Sequence, residues 1–110
     1  MRMTYLVTAA AAALGLAQPA AADTVCDWMD LANRLGAPQQ AAPGPRPPDK
    51  VRGATRTALA MFEALNAIDR RYRSHLGLEA GDSGASQDAA AATAAYRVLV
   101  HHYPAQRTQI

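Results

Sequence analysis

Four clusters of side chains in this sequence could, by type and spacing, do chemistry. In Gly81-Asp82-Ser83-Gly84 a serine follows an acid between two glycines. A serine becomes a nucleophile only when a base and an orienting carboxylate are brought to it by a sizeable scaffold. The chain has neither the length nor the β-rich sequence for one, and Gly, Asp and Ser are the residues of an ordinary turn. His101 and His102 are adjacent. Neighbours on a helix point about 100° apart, so the two rings cannot close on one metal as residues four apart can. His75 is the third histidine, and no cysteine or carboxylate stands at ligand spacing from any of them. Arg70, Arg71 and Arg73, joined by His75, could hold an anion. In a last helical turn the same cations interact with the helix dipole by roughly 0.3–1 kcal/mol each, and Asp69 stands four before Arg73 as a helix-surface pair. Glu63, Asn66 and Asp69 border an apolar seam. Paired carboxylates do acid–base work when their surroundings separate their pKa values; the sequence places these three on a solvated flank. No catalytic, cofactor-binding or metal-ligating residue is assigned.

These clusters need elements to position them, and the pattern is helical throughout. The expected fold class is all-α, about three helices with a Pro-rich linker. A first helix over 23–35 places Val25, Trp28, Ala32 and Leu35 on one stripe, with Asp23 or Thr24 to cap it and Gly36 to close it. The linker, 36–48, holds five of the seven prolines and reads as extended chain. A helical hairpin follows over 49–103. Its first helix, from about Asp49 to His75, carries Ala54, Ala58, Met61, Leu65, Ile68 and Tyr72 at alternating spacings of four and three, a seam that must be covered. Gly53 in its first turns is tolerated at about 1 kcal/mol against alanine. After a turn region, Ser86 caps the second helix of the hairpin, with Asp88 in the first turn. That helix carries Ala91, Ala92, Ala95, Tyr96, Leu99 and His102 on one side and ends before Pro104. A short polar tail, 104–110, closes the chain.

The beginning of the sequence reads as a leader. Arg2 is followed by an uncharged apolar run from Tyr5 to Leu16 and then by Ala20-Ala21-Ala22, the form of a secretory signal peptide over 1–22. The run is shorter than the roughly 20 apolar residues a membrane span takes. Cleavage after Ala22 leaves 88 of the 110 residues, exported to the periplasm or medium, with no membrane span. Without Arg2 the charge is about +1, which removes the whole-protein argument for nucleic acid. Cys26 is the only cysteine, so it makes no internal disulfide. So small a core without a staple implies a packing partner for the seam Ala58, Met61, Leu65, Ile68 and Tyr72.

With these residues in view, Arg56–Leu76, "RTALAMFEALNAIDRRYRSHL", and Gly84–Gln106, "GASQDAAAATAAYRVLVHHYPAQ", resemble the N-terminal helical region of exported bacterial members of the vanadium-dependent haloperoxidase and type 2 phosphatidic acid phosphatase superfamily. The Trp-containing "VCDWMDLANRL" is similar to the first helix of those proteins. The resemblance implies a scaffold part of a helical-bundle enzyme, and it implies no catalytic site in this chain. That family's anion site would need Lys, six residues, then Arg-Pro; before Arg46-Pro47 the position is Gln39. It would need Pro-Ser-Gly-His; Ser83-Gly84 is flanked by Asp82 and Ala85, and Ser-Arg followed by His has no counterpart. Vanadate or phosphate would therefore belong to a part of the fold this chain lacks. The expected function is a non-catalytic, N-terminal scaffold fragment of such an exported protein. The alternative is a self-standing exported helical binding or dimerisation module. The seam's partner is then either the catalytic bundle or a second copy.

Overall fold

A computed structural model describes residues 20–37 and 47–110 of the chain. Most of the expected leader and most of the Pro-rich linker lie outside the described residues. Three α-helices and a terminal 3-10 segment make up the described structure, with no strand among those residues, so the fold is all-α. The first, α1, spans Ala20–Leu35 and begins three residues before Asp23. Thr24 is therefore inside the helix, and its hydroxyl donates to Asp88 Oδ1 at 2.9 Å, tying α1 to the start of α3. α2 spans Pro47–Ile68, with its two prolines in the first turn, where amide protons have no helical partner. α3 spans Gln87–His102, and Ser86 caps it as its sequence position implies, its hydroxyl accepting from Ala89 N. The tail forms a 3-10 segment, Pro104–Gln109.

The interhelical core is small and continuous. Ala32 and Leu35 of α1 meet Leu99 and Tyr103, with Trp28, Leu31 and Ile110 packed around them. Met61 of α2 meets Ala91 and Ala95 of α3, with Val25, Trp28 and Met29 of α1 closing over it beside Leu65. Trp28 joins the two clusters. α1 therefore lies across the α2–α3 hairpin and covers Met61 and Leu65, which the seam pattern left to an outside partner.

The buried line of α2 is not the one its apolar residues suggest. Gly53, Thr57 and Met61 point inward, while Ala58 is exposed and Ala54 half-buried. Close approach decides this. A Cβ on Gly53 would meet Tyr103 Oη at 2.4 Å and His102 Cδ2 at 2.8 Å, and one on Gly36 would meet Lys50 Cγ at 2.6 Å and Tyr103 Oη at 3.2 Å. Two glycines thus seat the Tyr103 ring between α1, α2 and α3. Buried Thr57 satisfies its hydroxyl by donating to Gly53 O, the usual back-bonding to the preceding turn.

Candidate functional site

α2 ends at Ile68, and the helix expected to continue to His75 does not form. Asn66 explains the stop. Its Oδ1 accepts from the amides of Arg71 and Tyr72 at 3.2 and 3.0 Å, and its Nδ2 donates to Tyr72 O at 2.9 Å. A short amide side chain offers the backbone an alternative to helical bonding, and at this position it takes up the amides another helical turn would need. Gly81 N then donates to Ala67 O at 2.7 Å, satisfying a last-turn carbonyl from outside the helix.

One turn earlier on α2, Glu63 holds the other half of the same loop. Its Oε2 accepts from the Ser74 hydroxyl at 2.6 Å, and its Oε1 accepts from the amides of His75 and Leu76 at 2.6 and 3.1 Å. Ser74 Oγ in turn accepts from Leu78 N, and Arg70 donates to Leu78 O. Glu63 is 3 % and Asn66 5 % exposed. The solvated flank expected of them is thus overturned for both: they sit three apart on a helix and replace secondary structure for the loop that follows. Asp69 alone of the trio is on the surface, paired with Arg71 at 2.7 Å rather than with Arg73.

The Ser74 hydroxyl, with the Leu76 and His75 amides, holds the Glu63 carboxyl below its ordinary value of 4.5 against the opposing effect of burial. A carboxylate with both oxygens occupied and its basicity lowered is poorly suited to accept a substrate proton. The arginine cluster also sits differently from its expected place. Arg70, Arg71 and Arg73 follow α2 instead of ending it, so they are not in its last turn. Tyr72 leaves the seam, is 66 % exposed, and lies with its ring centroid 6.1 Å from that of Phe62.

The remaining candidates are separated. Ser83 is exposed in a turn in which Asp82 Oδ1 accepts from Gly84 N at 2.8 Å. His102 Nε2 lies 2.9 Å from Asp49 O and joins the end of α3 to the start of α2, whereas His101 faces outward. Cys26 is free and exposed on α1. Among the described residues no group of three or more His, Cys, Asp or Glu could hold a metal ion, and no helix is long and apolar enough to cross a membrane.

What the sequence pattern did not reveal is a groove between α2 and α3. A hollow of about 650 Å³ is lined by Arg56, Leu59 and Ala60 of α2, Arg97, Val98 and His101 of α3 and Leu76 of the loop. A second hollow of about 490 Å³ shares Arg97 with it and is lined largely by small residues, among them Ala64, Ala90 and Ala94. The signal was present as Arg56, Leu59 and Ala60 at helical spacing and as Arg97, Val98 and His101 likewise, but each stripe alone reads as an outer face. Compared with known proteins, the chain matches no family model, no curated protein and no solved structure.

Proposed function

We propose that this chain is a non-catalytic helical docking unit, which supplies scaffold helices to a larger exported assembly of the phosphatase- or haloperoxidase-like kind its sequence resembles. The observation that carries this reading is the groove along α2 and α3. No described residue covers it, although α1 has already closed the core around Met61. Apolar hollows between helices are where a further element packs. Of the polar candidates, Glu63 and Asn66 are engaged in building the chain's own loop.

One observation favours a second reading, the self-standing exported binding module. Met61 and Leu65 are covered by Val25, Trp28 and Met29 of the same chain, so the middle of the seam is closed without an outside partner. In this reading the groove's occupant belongs to another molecule.

Reading the coding sequence beyond the Ile110 codon tests the first proposal against the second. A frame that continues into Arg-Pro and Pro-Ser-Gly-His motifs supports scaffold helices of a longer enzyme-like protein. Absence of those motifs sinks it in favour of the self-standing module. Export is tested separately: the protein recovered from periplasm or medium begins at Asp23, and an intact Met1 in the cytoplasm refutes it.

A further inference from the structure

We infer that the α2–α3 groove seats one amphipathic α-helix whose apolar stripe is flanked by carboxylates. The inference rests on the docking-unit reading above and specifies its partner. Shape comes first. The two hollows share Arg97 in their linings and succeed one another along α3 from Ala90 to His101, about three helical turns, ~16 Å at 1.5 Å per residue; together they form the trough proposed to hold the helix. Its lining includes the small residues Ala60, Ala64, Ala90 and Ala94. Small residues let a third helix axis approach to the usual 8–10 Å, and Leu59, Val98 and Leu76 give its apolar stripe something to bury.

Charge selects among helices that would fit. Arg56 is contributed to the lining by α2 and Arg97 by α3. Both are exposed, and neither forms an ion pair with a described residue. No acidic side chain lines either hollow among the described residues. A helix with lysines beside its stripe would bring like charges together at both arginines, whereas one with Asp or Glu there would pair at each. Such rim charges decide which partner binds more than how tightly it binds.

The test is a displayed library of short helical peptides with a fixed Leu/Ala stripe and randomised flanks, selected on the full chain and on the Arg56→Glu/Arg97→Glu double variant. Both substitutions are on the surface, and circular dichroism checks that the fold persists. The wild type is expected to enrich Asp and Glu at the flanks and the double variant Lys and Arg. Changing the two flanking acids of a selected peptide to Lys weakens binding about tenfold. Filling the trough with Ala94→Phe, or with Thr93→Phe at an exposed lining position, abolishes binding. Binders without charge preference that are lost on filling the trough overturn the carboxylate requirement and leave the docking reading standing. No enrichment, or binders indifferent to both filling variants, overturns both.

Discussion

At its N-terminal end α2 meets the rest of the molecule through shape. Gly53 presents a bare backbone to Tyr103, Gly36 does the same from the end of α1, and the ring fills the space between them. The hydroxyl of Tyr103 is buried and finds no hydrogen-bond partner among the described residues. At its C-terminal end α2 meets the loop 69–86 through polar groups instead, with Glu63 and Asn66 together accepting five hydrogen bonds and donating one. Apolar packing at the first end is tolerant of a missing hydrogen bond and intolerant of added volume. The second end has the opposite sensitivities, because a buried donor left unpaired loses its water without replacement.

The largest effect should come from breaking the polar end. Glu63→Ala leaves the Ser74 hydroxyl and two amides without their acceptor, so it should lower the thermal midpoint more than Asn66→Ala, Gly53→Ala or Tyr103→Phe. Faster amide exchange at residues 74–78 should accompany it; unchanged exchange there would show that the loop holds itself. Asn66→Ala comes next, at about 2–3 kcal/mol for a buried group with several partners, measured by chemical denaturation. At the shape end, Gly53→Ala improves helix propensity by about 1 kcal/mol but drives a methyl into Tyr103. Overpacking of about 1–3 kcal/mol should dominate, and a stabilised protein would mean that the ring moves aside freely. The smallest effect is Tyr103→Phe, which should be neutral or stabilising by about 1 kcal/mol because it removes an unpaired hydroxyl. A clear loss of stability would reveal a partner for that oxygen.

Titration sharpens the same contrast, since the two ends respond to opposite extremes of pH. The Glu63 carboxyl is held below 4.5 in the folded chain, so its contribution is present above that value and is lost as the pH falls through the lower folded value. Tyr103 is pushed above its ordinary 10.0 by burial and by the nearby Asp49. Its neutral form is the one the fold favours, so that contribution is whole below pH 10.0 and is lost as the pH rises through the folded value. Denaturation midpoints across acid and alkaline series should therefore show Glu63→Gln flattening only the acid limb and Tyr103→Phe only the alkaline one.

Periodicity made α1 legible, though not its start, which lies before the expected caps Asp23 and Thr24, and a cap marked the start of α3. Val25, Trp28, Ala32 and Leu35 share the inner stripe of α1, and Ser86 caps α3. Local signals of this kind act within a turn or two of the chain and so survive into the fold. The end of α2 was also written locally, in Asn66 in its last turn, but an apolar spacing that ran on to Tyr72 concealed it. The groove was not legible, because Arg56 and Arg97 belong to different helices and become one feature only when those helices pack.

The sequence by itself determined the helical class, the stripe of α1, the cap of α3 and the turn at Gly81–Gly84, all of which depend on contacts between near neighbours in the chain. Only the tertiary structure decided that α1 covers Met61, that Gly53 rather than Ala54 faces inward, and that Glu63 and Asn66 are buried anchors. Each of those depends on which groups meet across the fold. Burial turns a surface carboxylate into a loop anchor only when another segment supplies donors for it, and close packing makes a glycine necessary only when a ring arrives opposite it.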